Sequence, residues 1–379
     1  MATVTKTIGT SSRDYSDINA WEADLNSDSI YSNGDTAIGE IYADSTFTDV
    51  YNLIENGSAI GGSSGYDLAL IKLTVHADSR HDGTAGSGAL LKPTAAGTHN
   101  NGVIRVNVDN VTIEWLEIDM DNDDDFTNAD NRAVNKAIVL TGTNNNCIIR
   151  NMLIHGKRGN PGGTGPYGIH MLGAGASSDS IYILNNIVYN LVETSNDTAS
   201  AINTHLWAGN AYIYNNTVYN IQGQGGSKHG LGFRFGNPSS SNTRIKNNIA
   251  SKCEGDNNRA YWKNSSGSTV DSANNLSDDT TDAAYNAEDM SKNLDDSSAL
   301  VGKTAAQIDF VSITTDSEDL HLDVDSVCRK AGVDLGTTNG VNIDIDGLDR
   351  DATGVTWDIG ADQASTADTG SPAFLMFVD

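Results

Sequence analysis

The sequence has few cysteines, few prolines and no long apolar run. Its 3 cysteines are too widely spaced for a disulfide framework, and no CxxC pair suggests a zinc site. No window approaches the roughly 18 apolar residues of a transmembrane helix. The first residues, MATVTKTIGTSS, lack an apolar core, so we expect no Sec-type signal peptide. We therefore expect a protein made in the cytoplasm, with no membrane partner, that either stays there or leaves without a signal, with lysis as one way of release.

Positive charge is also scarce. The chain has 23 Lys and Arg against 50 Asp and Glu, a net charge of -27 and a pI near 4.4. Such a charge repels polyphosphates, which excludes nucleic acid as the expected partner.

A repeat runs through the middle of the chain. Its copies are IEWLEID (113–119), IIRNMLIH (148–155), ILNNIVYN (183–190), IYNNTVYN (213–220) and IKNNIASK (245–252). Taking Leu116, Asn151, Asn186, Asn216 and Asn248 as equivalent gives steps of 35, 35, 30 and 32 residues. A second strand precedes each copy: VIRVNV (103–108), AIVLTG (137–142), GIHML (168–172), AINTHL (201–206) and LGFRF (231–235).

Both sets alternate apolar and polar residues with the period of a half-buried strand, and one pair of strands per 30 or so residues predicts a β-solenoid. Asn accepts the left-handed backbone of a tight corner, and its amide bonds to the same residue one turn away. We assign this asparagine column to the structure, together with one buried stack formed by Ile113, Ile148, Ile183, Ile213 and Ile245.

The remaining segments are expected to close the solenoid. DYSDINAWEADLN (14–26) predicts a short amphipathic helix with Ser16 as its N-cap. We divide the chain into an N-terminal strand and capping helix (1–45), the coils (46–300), an irregular C-terminal cap (301–363) and a tail (364–379).

The chain resembles the right-handed parallel β-helix superfamily, which includes pectate-lyase-like proteins and phage tailspikes. The likeness lies in the coils and in EDLHLDVDSVCRKAGVDLG (318–336) and DIDGLDRDATGVTWDIGADQ (344–363), which resemble a common closing element of these proteins. Ser326-Val327-Cys328 and Gln363 depart from that element. The resemblance implies an all-β, right-handed, single-stranded parallel β-helix, and it leaves the activity open.

Basic residues concentrate in one window. Residues 150–263 hold ten Lys and Arg against five Asp and Glu. If Ile169, Ile202 and Leu231 point inward, His170, Asn203 and Gly232 form one outward column, and Leu172, His205 and Arg234 form the next. We expect this patch either to bind a glycan or to be an ordinary surface that binds no ligand or contacts another subunit. The candidate glycan-binding residues are Lys157, Arg158, Tyr167, His170, Asn203, His205, Trp207 and Arg234.

Catalysis by the same patch is the alternative. β-Elimination of a uronate needs a base, a cation on the carboxylate and a proton donor. His170 or His205 is a candidate base, Arg234 a candidate neutraliser and Tyr167 a candidate acid. Glycoside hydrolysis needs two carboxylates facing one groove, and the aligned strands offer almost none. An enzyme would therefore be a polysaccharide lyase rather than a hydrolase.

Neither glycan binding nor the lyase hypothesis requires a cofactor, but two acid-rich stretches are candidate calcium sites. The first is DMDNDDD (119–125), with Asp119, Asp121, Asp123 and Asp125 as candidate ligands, and the second is DIDGLDRD (344–351).

The structural hypothesis is a virion-associated adhesive protein, such as a capsid decoration or tail spike, found in the virion or outside the cell after lysis. Its expected partners are other virion proteins, a surface polysaccharide and further copies of itself, with a trimer as one option.

Overall fold

The fold was analysed in a computed structural model of the 379-residue chain. The residues it describes are 1–27, 29–49, 51–53, 68–93, 102–121, 135–142, 144–156, 165–173, 175–193, 198–223, 229–236, 242–255, 259–263, 269–278, 298–352 and 354–364.

Three parallel sheets wrap around one apolar core. Sheet A contains Thr3–Ile8, Thr36–Ile41, Leu70–Val75, Val111–Glu114, Cys147–Arg150, Ser180–Leu184, Asn210–Tyr214, Asn242–Lys246 and Thr269–Ala273. Sheet B contains Leu90–Leu91, Glu117–Asp119, Leu153–His155, Ile187–Glu193, Thr217–Gly223, Ile249–Glu254, Leu276–Ser277 and Leu300–Val301. Sheet C contains Tyr51–Leu53, Ile104–Val106, Lys136–Leu140, Tyr167–Met171, Ala199–Asn203, Gly230–Phe235 and Arg259–Lys263.

This arrangement confirms the predicted all-β parallel solenoid. About 6 complete turns each add one strand to every sheet, and incomplete turns at the two ends supply the remaining strands. Equivalent residues of successive turns pair directly, as in the row that runs through Ile149, Ile183, Ile213 and Ile245. Ile149 takes the place that the repeat alignment gave to Ile148, which pairs instead with Thr112 and Tyr182. The alignment was one residue out at this turn, and a one-residue shift moves a side chain to the other face.

The Asn-Asn pairs form the corner between sheets A and B, and the two asparagines of each pair differ. The first has a left-handed backbone, with φ of 54° at both Asn185 and Asn215. The second is fully buried and builds a ladder: the Nδ2 atom of Asn186 donates to Oδ1 of Asn216 at 2.9 Å, and Asn216 donates likewise to Asn248. The predicted amide ladder is thus confirmed.

One member of the predicted asparagine column was wrong. Asn151 has a left-handed backbone, with φ of 51°, and is therefore the counterpart of Asn185 rather than of Asn186. Met152 holds the ladder position in that turn, and its backbone N–H donates to Oδ1 of Asn186 at 3.0 Å.

The N-terminal helix, Ile18–Ala23, is shorter than predicted. Its N-cap is Asp17 rather than Ser16, because the Asp17 carboxylate accepts a hydrogen bond from the N–H of Ala20 at 2.7 Å. Trp21 is buried and lies against Gly39 of sheet A, where any Cβ would touch the indole ring. A 3₁₀ turn, Asp24–Asn26, follows the helix, and a second one spans Ala77–Ser79.

The C-terminal region lies along the flank of the solenoid. It contains a helix, Ala305–Ile308, an antiparallel hairpin of Phe310–Thr314 and Ser317–Leu322, and a 3₁₀ turn, Thr338–Gly340. Residues 331–344, the C-terminal strap, run along the A–B corner against the order of the turns. The first asparagine of five successive corners donates its side-chain amide to a strap carbonyl: Asn274 to Ala331, Asn247 to Val333, Asn215 to Val341, and both Asn185 and Asn151 to Ile343.

The three cysteines are buried, and none of them forms a disulfide. Among the described residues, no helix has the length and apolar character needed to cross a bilayer. The division of the chain into four parts stays a prediction, although Thr3–Ile8 and Thr36–Ile41 already pair in parallel within sheet A.

Replacing Asn216 by Ala should destabilise the fold strongly. The change takes the acceptor away from the buried backbone N–H of Asn186, at a cost of about 1–3 kcal/mol. It also removes one of two hydrogen bonds from the Nδ2 atom of Asn186 and from the Oδ1 atom of Asn248, which adds to that cost. Urea unfolding should show a free energy of unfolding lower by about 3 kcal/mol. The control is Asn242→Ala, which removes an exposed inter-turn contact to Asn210 and should cost about 0.5 kcal/mol or less. Equal effects of the two variants would contradict a structural role for the ladder.

Candidate functional site

The outer face of sheet C differs in charge from the rest of the chain. Its seven strands contain five basic residues and no acidic residue, although the net charge of the protein is -27. The basic residues are Arg105, Lys136, Arg234, Arg259 and Lys263. Such a face attracts anions.

Four residues of successive turns lie side by side on this face. His170 pairs with Asn203, Asn203 with Arg234, and Arg234 with Trp262. We call these four residues the sheet C row. The pairing of His170 with Asn203 confirms the predicted column.

The next member of that predicted column was wrong. Phe233, not Leu231, pairs with Ile202, so Arg234 rather than Gly232 lies beside Asn203. The error was two residues along the strand, and Gly232 faces inward, where a Cβ would touch the core residues Ala250 and Cys253. The basic side chain of Arg234 therefore joins the column of His170 instead of a neighbouring one.

Aromatic rings and cations alternate along the row. The Tyr167 ring stacks on the His170 ring with centroids 4.2 Å apart. The guanidinium carbons of Arg234 and Arg259 lie 4.6 and 4.7 Å from the Trp262 ring centroid. Tyr167, Arg234 and Trp262 are each partly exposed, so a ligand can reach them.

Beneath these exposed groups lie buried polar atoms that have no hydrogen-bond partner among the described residues. Neither ring nitrogen of His170 has one, although the residue is only 5% exposed. The same is true of the Ser200 hydroxyl and of the Nδ2 atom of Asn203, both on fully buried residues. Buried polar groups are normally paired, so this concentration indicates a place where water or a ligand supplies the missing bonds.

Burial and positive charge determine the protonation of the two histidines. Burial lowers the pKa of His170 from 6.5 to about 3, and nearby cations, above all Lys136, act in the same direction. Burial, followed by the charge of Arg234, lowers the pKa of His205 from 6.5 to about 4. His205 holds its Nδ1 atom 2.7 Å from Oδ1 of Asn203. Both rings are therefore neutral at neutral pH.

One predicted glycan-binding residue was wrong. Trp207 is fully buried, and its indole N–H donates to the carbonyl oxygen of Asn210 at 3.3 Å. Its ring packs against Gly175, within the core, so no sugar can stack on it. Lys157 and Arg158 lie outside the described residues. Tyr167, His170, Asn203 and Arg234 come together as predicted, with His205 at the edge.

The sequence analysis missed Trp262 and Arg259 in this site. Both belong to the strand Arg259–Lys263, which adds the last turn to sheet C. The signal was present in RAYWK, a short apolar and basic segment about 28 residues after the strand that contains Arg234. The predicted second strand set ends one turn earlier, at LGFRF (231–235).

The acid-rich stretches are partly engaged by the protein itself. Oδ1 of Asp119 accepts a hydrogen bond from the N–H of Asp121 at 2.9 Å, and its Oδ2 lies 2.9 Å from Nζ of Lys92. Asp123 and Asp125 lie outside the described residues, so calcium binding at this stretch stays a prediction. In the second stretch, Asp344 is buried and accepts hydrogen bonds from the N–H groups of Asp346 and Leu348, which stabilises a turn.

The C-terminal hairpin brings carboxylates to sheet B that the aligned strands do not contain. Two adjoining clefts of about 450 and 460 Å³ lie along the hairpin and share Thr84 and Asp319. The first is also lined by His155 and Glu318. In the second, His321, Asp346 and Asp362 form a group of potential metal ligands whose donor atoms lie within 4.8 Å of one another. No local sequence pattern links residues so far apart.

The chain matches no protein-family model, and no curated protein matches it. Its function must therefore be inferred from the geometry of its own residues.

Replacing His170 by Asn should reduce the decrease in the free energy of unfolding at acid pH. The unfolded chain takes up a proton on this histidine near pH 6.5, whereas the folded chain does so only near pH 3. Stability should therefore fall as the pH drops from 6.5 to 3, by up to about 1.4 kcal/mol per pH unit. Urea unfolding at pH 7, 5 and 4 should show a smaller decline for the variant. An unchanged decline would mean that His170 is protonated in the folded state.

Proposed function

We propose that the protein is an adhesive β-helix that binds an acidic polysaccharide along the outer face of sheet C. The observation that carries this proposal is the sheet C row, in which unpaired buried polar atoms lie beneath partly exposed cations and aromatic rings. Guanidinium groups pair with carboxylates or sulfates, and aromatic rings offer flat apolar faces to sugars.

The spacing of the turns supports a linear polymer as the ligand. Neighbouring parallel strands lie about 4.8 Å apart, so the row repeats its side chains at short, regular intervals along the solenoid axis. His170, Asn203 and Arg234 occupy three successive turns. A chain lying along the axis can therefore meet the partly exposed Tyr167, Arg234 and Trp262 on nearby turns, whereas a small compact ligand would engage only one turn.

The sequence motifs support a finer placement of the protein. The closing element at residues 318–336 and 344–363 favours the right-handed pectate-lyase-like superfamily and, within it, the β-helix proteins of phage particles. In this proposal the chain forms a homo-oligomer, with a trimer as one option, and binds other virion proteins. Mass spectrometry of purified particles from the source should find the chain in stoichiometric amount; its absence would end the virion assignment and leave glycan binding to be judged separately.

A polysaccharide lyase is the second candidate. It is favoured by one observation: Tyr167, His170 and Arg234 lie together, with the rings of the first two in contact. The low pKa of His170 weighs against it, because so weak a base removes a proton poorly at neutral pH. Elimination creates a conjugated double bond, so a rise in ultraviolet absorbance on incubation with alginate, pectate or chondroitin would favour the lyase over simple binding.

Replacing Arg234 by Gln should weaken binding of acidic oligosaccharides roughly 10-fold or more, because one charge-assisted hydrogen bond is lost. Calorimetric titration with size-defined oligomers of alginate, pectate and chondroitin sulfate measures the affinity, and a neutral glucan tests the need for charge.

The matched control is Arg244→Gln. Arg244 makes the same kind of contact on sheet A, with its guanidinium carbon 4.8 Å from the Tyr212 ring centroid. This variant should bind within about 2-fold of the parent, because exposed charges on another face are screened by salt. Equal losses in both variants, or equal binding of the neutral glucan, would contradict the proposal.

A further inference from the structure

Three segments of the C-terminal region converge on one point beside the second cleft. His321 comes from the hairpin strand Ser317–Leu322, Asp346 from the turn that follows the strap, and Asp362 from the last described segment. Their donor atoms lie within 4.8 Å of one another, a separation that a single ion can bridge.

The imidazole of His321 is held in a defined orientation. Its Nδ1 atom lies 2.5 Å from Oδ1 of Asp319, and its Nε2 atom lies 3.0 Å from Oδ1 of Asp346. Histidine ligands of metals usually give one ring N–H to a carboxylate, which orients the other nitrogen toward the ion. Asp319 fulfils this orienting role, and Nε2 faces the two remaining carboxylates.

Asp362 supplies an unpaired oxygen. The residue is only 3% exposed, and its Oδ2 accepts a hydrogen bond from the N–H of Leu322 at 2.8 Å. In the part of the chain that the structure describes, no donor reaches Oδ1, although the residue lines the cleft. This oxygen is therefore available to an ion that enters the cleft.

We propose that His321, Asp346 and Asp362 bind a divalent transition-metal ion of the zinc type. One imidazole and two carboxylates suit zinc, whereas calcium takes six to eight oxygen ligands. The ion replaces the proton that Nε2 of His321 shares with Asp346, and that proton is released to solvent. The cleft of about 460 Å³ beside the three ligands leaves room for water in the remaining coordination positions.

Such an ion would link separate segments of the C-terminal region to one another. Its ligands join the hairpin, the turn after the strap and the final segment. Because the ligands are far apart in sequence, the unfolded chain holds no preformed site, and binding stabilises the folded state by mass action.

Zinc titration of the chelator-treated, dialysed full-length chain tests the site. Calorimetry should show one ion per chain bound at the site, with a higher unfolding temperature in the presence of zinc chloride. Asp346→Asn should weaken zinc binding at least roughly 10-fold, and Asp319→Asn roughly 10–100-fold by releasing the orienting bond. Asp346 is the safest variant for folding, because about 31% of its side chain is exposed.

The matched control is Asp82→Asn, which removes one negative charge from the same cleft without touching the three ligands. Its zinc affinity should stay within about 3-fold of the parent in 0.15 M salt, where surface charges are screened. Absence of stoichiometric zinc binding, an equal loss in Asp82→Asn and Asp346→Asn, or tighter binding of calcium than of zinc would each overturn the proposal. Circular dichroism and the metal-free unfolding temperature confirm that each variant is folded.

Discussion

Each buried asparagine of the ladder bonds to the equivalent asparagine of the next turn, and this contact sets the register of the solenoid. A slip by one residue would leave both amides and their backbone partners unpaired in the core, and it would turn every outward side chain inward. The sheet C row exists only because the register holds over successive turns. His170, Asn203 and Arg234 are more than 30 residues apart in sequence, and they become neighbours through the ladder on the opposite side of the core.

The register also places basic and acidic side chains on different faces of the solenoid. Sheet C collects basic side chains from four strands, while the carboxylates of the C-terminal region gather beside the start of sheet B. A net charge of -27 would otherwise repel an acidic polymer at every approach. Within a distance of about 8–10 Å, the Debye length near physiological salt, the local basic face rather than the net charge determines the interaction. The same protein can therefore attract an anion on one face and a cation on another.

The parts predicted from sequence are those that repeat. The Asn-Asn pairs and the aliphatic alternation contain enough copies to establish a solenoid, a ladder and the pairing of His170 with Asn203. The errors arose where the copies are irregular: turns of unequal length displaced Ile148 and Gly232, and Trp207 was judged by its type rather than its burial. Trp262 was missed because RAYWK (259–263) was not recognised as a further copy of the second strand. The group of His321, Asp346 and Asp362 was missed because contacts between distant segments leave no local pattern.

The two asparagines of a corner face different partners, and this explains where each occurs. The second continues the ladder inside the core from Asn186 to Asn275. The first bends the chain and donates its amide outward to the strap, and it occurs one turn earlier, at Asn151, because the strap extends that far. In the turn before, where the strap has ended, Trp115 holds the first position. Asn151 is followed by Met152 rather than by a second asparagine, and it belongs to the set of first asparagines that bind the strap. Its contact with the strap, rather than the ladder, accounts for its presence.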